Sequence, residues 1–295
     1  AGAPRRKQIM TRESEYLLDL GRAVLGEYAK LPGVACAAIT GSGAEGLSDA
    51  HSDLDTTIYY DTMPPEAEIR AVRERVGGGA LAWSLGNCAD GEFIESFRVK
   101  GVECQIGHTT VAVWERDMNR ILAGEEPGSP LHKAMSGTLV SIAVFGDERL
   151  EQWKQRIRAY PDALRLAMVR HHLKFFAIWG VWDRLGVRDA NLWFRQTLVE
   201  ASFNLLGVSA GLSRRYFTPF QFKRGGAYVR SLGIAPPRLW ERLEGLWAVP
   251  PSEAVRLLRG LVEETVGLVE RELPEVDTAG ARESLARDDR AWKIE

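Results

Sequence analysis

Two aspartates one residue apart, Asp53 and Asp55, open an apolar, β-branched run that ends at Tyr60. In an extended strand residues i and i+2 leave the same face, so both carboxylates point one way while Leu54 points the other. Like charges held that close repel unless a cation lies between them. An oxygen-only carboxylate pair suits Mg2+ or Mn2+, hard ions that keep several waters and also take substrate phosphates. Upstream, Gly41-Ser42 follows the apolar run Val34 to Thr40. Glycine in such a turn lets backbone N–H groups come close to a phosphate, and Ser42 adds a hydroxyl. Ser52, beside the first acid, either donates in the same way or shapes the turn. Glu103 is a third acid, with Val102, Cys104 and Ile106 around it. Its charge needs a cation or water. If its strand pairs beside the Asp53 strand, Glu103 completes a three-carboxylate set. It then serves either as a third metal ligand or as the base for an attacking hydroxyl.

The elements that must hold these residues follow from periodicity and punctuation. Thr11 caps a helix to Lys30 with Leu17, Leu20, Val24 and Leu25 as its stripe, and Pro32-Gly33 ends it. Val34 to Thr40 and Asp53 to Tyr60 read as strands, with a loop and one helical turn between them. Pro64-Pro65 starts a helix through Val76, and Gly77-Gly78-Gly79 stops it. That glycine run is no dinucleotide fingerprint, because it follows a helix. Leu81 to Leu85, Phe93 to Val99 and Val102 to Ile106 are strand-like, the last two joined by a Lys100-Gly101 hairpin turn. Beyond Thr110 only helices are expected: Thr110 to Leu122, Leu131 to Phe145, Ala163 to Leu185, Asn191 to Leu206, Gln221 to Leu232, Pro237 to Leu246, and Ser252 to Leu273 with Ser252 as its cap. The expected fold is α+β: a small mixed sheet in residues 1–145, then an all-helical bundle in 146–295.

The chain has 295 residues, 45% hydrophobic and 26% charged, an ordinary globular composition. Its net charge of -2 does not suit bulk binding of nucleic acid, although the first half is acidic and the second mildly basic. Cys36, Cys88 and Cys104 form no CxxC pair and no disulfide framework, and Cys36 and Cys104 read as buried thiols. No run reaches the ~18 apolar residues of a membrane span. With no signal-peptide core either, a cytoplasmic setting is expected. Ala1-Gly2-Ala3-Pro4 reads as a cloning remnant, with Met10 as the candidate native start. His51 reads as a loop histidine, and His171-His172 has no zinc spacing.

Gly41-Ser42, nine residues, then Ser52-Asp53-Leu54-Asp55, with a later acid at Glu103, resembles the signature of the nucleotidyltransferase superfamily. The likeness covers roughly residues 34–107. The helical half is similar in layout to single-subunit aminoglycoside and lincosamide nucleotidyltransferases. The resemblance implies two Mg2+ ions, with Mn2+ as a substitute, held by Asp53, Asp55 and Glu103. It implies a nucleoside triphosphate, ATP foremost, bound by Gly41, Ser42 and Ser52. The nucleoside monophosphate would pass to a hydroxyl of a small acceptor, an aminoglycoside-like antibiotic leading, with release of pyrophosphate. A triphosphate also wants cations, for which Lys174 and Lys223 are the candidates, with Arg214 and Arg215 nearby in the sequence. Lys174 either snorkels to the surface or faces the substrate. Tyr216, Phe217 and Phe220 are expected in the core rather than lining a base pocket, and Trp240 and Trp247 in a dimer contact or the core. The alternatives are transfer to a tRNA 3' end or a protein, and a non-catalytic nucleotide sensor.

Overall fold

The computed structural model describes residues 10–288. The proposed cloning remnant lies outside them. The chain divides into two compact units. One runs through Asn119 and adds Ala134–Ala159; the other is Arg120–Lys133 together with the chain from Tyr160.

In the first unit, α1 (Arg12–Tyr28) begins where expected, with Thr11 Oγ1 accepting from the Ser14 N–H at 3.2 Å. It is followed by β1 (Val34–Ile39), the one-turn α2 (Gly41–Glu45) and β2 (Leu54–Tyr60). Next come α3 (Glu66–Arg75), β3 (Trp83–Asn87), β4 (Glu92–Val99) and β5 (Val102–Thr110), then α4 (Val111–Leu122). The six-stranded sheet has the order β3-β4-β5-β2-β1-β6, and β2 and β5 are parallel neighbours. The other strand pairs are antiparallel. Lys100 and Gly101 both have positive φ, 50° and 84°, as the two-residue turn between β4 and β5 requires.

One face of the sheet is covered by α1 and α3. Leu54, Ile58, Cys104, Ile106, Phe93 and Phe97 pack there with Leu17, Leu25, Ile69 and Val72. A Cβ on Gly21 would lie 2.7 Å from Ile39 Cδ1, so glycine lets α1 come down onto β1. This core also contains a carboxylate. Glu95 is fully buried and accepts from Tyr28 Oη at 2.7 Å, from His108 Nε2 at 3.3 Å, and from Arg73. Burial pushes its pKa up, but the hydrogen bonds and charge of these partners outweigh that and hold it below the usual range. On the opposite face Tyr59 is covered by Trp114 of α4 and by Trp153, with ring centroids 5.8 and 4.6 Å away. Residues nearer the start of β2 are left open on that face. Cys36 and Cys104 are buried thiols as expected, and Cys88 is partly buried.

The helix expected from Leu131 to Phe145 is instead α5 (His132–Val140) followed by β6 (Ile142–Phe145), the edge strand beside β1. Ile-Ala-Val-Phe is a β-branched, apolar run too short to be told from a buried helix turn. Its partner Ala37 lies about a hundred residues upstream. After it comes α6 (Asp147–Ala159).

The second unit holds α7 (Asp162–His172), α8 (Ile178–Leu185), α9 (Asn191–Leu212), α10 (Gly225–Arg230), α11 (Leu239–Gly245), α12 (Pro251–Glu272) and α13 (Ala279–Ala286). Val169, Val208, Leu212, Val269 and Leu273 form one of its apolar clusters. The single helix expected over Ala163 to Leu185 is broken between α7 and α8. There the Lys174 carbonyl accepts from Asn204 Nδ2 and the Phe175 carbonyl from Ser284 Oγ, each at 2.8 Å. Side chains from α9 and α13 thus satisfy carbonyls that a helix would have used. The helix of Gln221 to Leu232 shortens to α10. Pro250 caps α12 and Pro251 occupies its first turn, so Ser252 lies inside that helix. Among the described residues no helix is long and apolar enough to cross a membrane.

Candidate functional site

Asp53 and Asp55 flank the buried Leu54 and are themselves half-buried on the face opposite α1. The β2–β5 register pairs Leu54 with Cys104 and Asp55 with Gln105. Glu103, one residue before Cys104, therefore comes alongside Asp53. The hairpin register then places Ser96 opposite Gln105, Arg98 opposite Glu103, and Trp83 opposite Ser96. The row Trp83, Ser96, Gln105 and Asp55 crosses four strands on one face.

The side chains use that register. Gln105 Nε2 donates to Asp53 Oδ2 at 2.8 Å and, at 3.5 Å, to Glu103 Oε1. Glu103 Oε1 also accepts from Ser96 Oγ at 2.8 Å and from Trp83 Nε1 at 3.2 Å. The Ser96 and Trp83 donors hold the Glu103 carboxyl below its usual pKa, with smaller help from Gln105 and Arg98. A carboxylate so stabilised is a poor proton acceptor near neutral pH and a good anionic ligand.

The Gly-Ser turn sits against the second aspartate. Thr40 N–H donates to the Asp55 carbonyl at 2.9 Å. Gly41 has φ 63°, and a Cβ built on it would lie 2.3 Å from Asp55 Oδ2. Glycine is required there by its backbone angle and by the carboxylate against it. Ser42 Oγ lies 3.1 Å from Ser48 Oγ. The Ser48 N–H donates to Ser14 Oγ, and the Ser48 carbonyl accepts from Thr11 Oγ1, each at 2.9 Å. A relay of hydroxyls thus ties the turn to the start of α1. Ser52 Oγ accepts from the Asp49 N–H at 2.9 Å, so in this arrangement it shapes the loop. His51 is exposed on the same loop.

Among the described residues no group of three or more His, Cys, Asp or Glu side chains closes around a common point as a metal shell. The donor set, all carboxylate oxygens, suits a hard divalent ion in its chemistry. Three carboxylates share one open sheet face, and two of them are bridged by an amide N–H that supplies, in neutral form, the positive pole a cation would supply. Asp53, Asp55 and Glu103 are the residues that would hold it.

Lys174 and Lys223 belong to the second unit. Lys174 is exposed at the break between α7 and α8. It lines a cavity of about 360 Å3 with Phe175, Phe176, Thr197, Glu200 and Asn204. Lys223 is exposed just before α10. Arg214 is committed to the Tyr160 carbonyl and to Asp162. Tyr216 and Phe217 are buried as expected, but Phe220 is 53% exposed, with Lys133 Nζ 5.9 Å from its ring centre. Trp240 packs over Gly225, and Trp247 is exposed.

Gln105, Ser96 and Trp83 carry no motif and are not evident as site residues from the sequence. The signal was present in the Lys100-Gly101 turn. Counting outward from it pairs Val99 with Val102 and Ser96 with Gln105, and Gln105 shares the face of Glu103.

Residues 132–223 match a family model described as a domain of unknown function, DUF4037. The match begins in α5 and includes none of the three acids. No curated protein sequence matches the chain. Among solved structures it is similar to a nucleotidyltransferase-like protein from Exiguobacterium sibiricum 255-15. The two share 13% sequence identity with a TM-score of 0.42, over 94% of this chain and 82% of that one. At that level of likeness the fold described above rests on its own strand order.

Proposed function

We propose that the chain is a metal-dependent nucleotidyltransferase. It moves a nucleoside monophosphate, AMP from ATP in the leading version, onto a hydroxyl of a small acceptor, an aminoglycoside-like antibiotic being the first candidate. The observation that carries this reading is one juxtaposition. Asp53 and Asp55 share the open face of β2, the Gly41 turn abuts Asp55, and Glu103 stands on the neighbouring strand beside Asp53.

In this reading Asp53 and Asp55, with Glu103, hold Mg2+. When bound, the ions supply neutralisation of the triphosphate and acidification of the acceptor hydroxyl. The backbone N–H groups at Gly41 and Ser42 are the donors this reading gives to phosphate oxygens. The acceptor oxygen forms a bond to the α-phosphorus in line as the bond from that phosphorus to the bridging oxygen breaks. Pyrophosphate departs with the electron pair, and the hydroxyl proton goes to water. Glu103, kept ionised by Ser96 and Trp83, orients rather than accepts that proton. Catalysis is then positioning and charge stabilisation, as phosphoryl transfer allows.

The test is a pyrophosphate-release screen of the four ribonucleoside triphosphates against a panel of hydroxylated acceptors, with mass spectrometry of the product. Mg2+-dependent release with a nucleotidylated acceptor is expected. No release with any pair, and no melting-temperature rise with millimolar Mg-ATP, would overturn the reading.

A further inference from the structure

The helical unit carries a charge pattern that the mechanism above does not use. Residues 201–240 contain six cations, Arg214, Arg215, Lys223, Arg224, Arg230 and Arg238, and no Asp or Glu. All 40 acidic residues of the chain lie elsewhere. A surface that only had to stay in water would mix both signs, whereas one sign alone makes a field that draws the other.

The fold gathers most of these cations on one lobe. Ser213 Oγ donates to the Ile234 carbonyl at 3.0 Å and accepts from the Ile234 N–H at 2.9 Å, which closes the chain between them into a loop. Inside it Phe217, Phe222 and Tyr228 pack on one another, with ring centroids 5.4 to 5.9 Å apart. The cations are left on the outside, all exposed. Arg214 is paired with Asp162, but among the described residues Arg215, Lys223 and Arg230 have no carboxylate partner. Phe220 stands out from the aromatic interior beside Lys133, which also donates to Gln221 Oε1. The backbone points the same way. Arg214, Gln221, Arg224 and Arg238 have φ between 48° and 59°, where glycine or asparagine would cost less. Arginine at three of those four positions means that the guanidinium, not the backbone, is what the position keeps.

We infer that the lobe of residues 213–234 is a docking surface for single-stranded nucleic acid, with phosphates on Arg215, Lys223 and Arg230 and a base stacked on Phe220. The strand is a partner held along its backbone, not the acceptor, and the inference does not rest on nucleotidyl transfer. Arginine outnumbers lysine five to one in the segment. A guanidinium forks onto phosphate oxygens and stacks on bases, whereas an anionic lipid surface is served as well by lysine. One exposed ring beside cations gives a base a platform, but too little apolar area to enter a bilayer. The platform needs an unpaired base, which a duplex does not offer.

The test uses the full chain and a labelled RNA strand of about 20 nucleotides, read by fluorescence anisotropy across a salt series. Log affinity should fall linearly with log salt, with a slope of about -2 for three phosphate contacts. Changing Arg215, Lys223 and Arg230 together to Gln should flatten that slope and weaken binding at least ~10-fold at low salt. Phe220→Ala should weaken binding about 5-fold and leave the slope unchanged, which a bare basic surface would not show. A strand with a 3'-phosphate should bind as tightly as one with a free 3' hydroxyl. All four side chains are exposed, so melting temperatures should hold, and the single Phe220 variant keeps the comparison on a folded protein if the triple variant does not fold. No binding at low salt, wild-type affinity in the triple variant, or binding that requires a free 3' end would overturn the inference. Wild-type affinity in Phe220→Ala, with heparin bound equally well, would leave a polyanion surface and overturn the nucleic-acid partner. Binding to phosphatidylserine vesicles but not to RNA would overturn it in favour of a lipid.

Discussion

The two faces of one sheet treat carboxylates in opposite ways. On the face under α1 and α3, Glu95 is wholly buried and is met by a guanidinium, an imidazole and a phenol. On the other face Glu103 and Asp53, half-buried, are met by an indole, a hydroxyl and a shared amide. The same strands, β4 and β5, contribute to both sets by alternation, Glu95 and His108 to one face and Ser96, Glu103 and Gln105 to the other. The first arrangement closes its charge balance inside the protein. The second supports negative charge without cancelling it, which is what a site for an external cation requires.

The largest expected effects test whether the open face is the working one. Asp53→Asn or Asp55→Asn should lower pyrophosphate release by at least ~10³-fold, with the melting temperature little changed, because neither side chain belongs to the core. Near-normal turnover in either variant would remove the metal assignment. The mirror experiment is Glu95→Ala. It leaves Arg73 buried without its partner and should cost ~3–5 kcal/mol, seen as a large drop in the urea midpoint. A mild effect there would mean that the two faces differ less than their partners suggest.

Gln105 sharpens the contrast. Gln105→Glu places a third negative group against Asp53 and Glu103. It should lower the melting temperature in chelator and raise the stabilisation given by Mn2+ or Mg2+. Equal metal shifts in the variant and the wild type would show that the amide does not stand in for a cation.

Acid separates the faces of the sheet from the helical unit. His132 and His172 are buried there, and burial pulls each down to about 4 from the ordinary 6.5. Both are kept neutral when folded, so the unfolded chain binds more protons between those values. Stability should be full above ~6.5, decline as pH falls toward 4, and decline no further from this source below that. Glu95 is held below 4.5, so its contribution is present above that value and is lost only as pH falls through its lowered pKa. Denaturant melts of His132→Gln should therefore flatten the upper window alone. A change confined to lower pH would contradict the assignment.

How much of this was legible depended on how local the determining contacts were. The cap at Thr11, the paired aspartates and the Lys100-Gly101 turn are decided by neighbours in sequence, and all were readable. β6 was hidden in an apolar run whose pairing with β1 is remote. The break at Lys174 was hidden because its apolar spacing continues unbroken, while the groups that capture its carbonyls, Asn204 and Ser284, come from two other helices. The three acids could be listed in advance. That Glu103 falls beside Asp53, with Gln105 spanning them, required the parallel pairing of β2 with β5.

That parallel pairing also sets an order of assembly. The β4–β5 hairpin closes over a two-residue turn and can form early and on its own, whereas Gln105 must find Asp53 across a separation of 52 residues. Until that late docking, a chain still being synthesised carries acids that cannot act together. In the proposed reading, divalent-ion affinity is therefore gained only once β2 and β5 have paired.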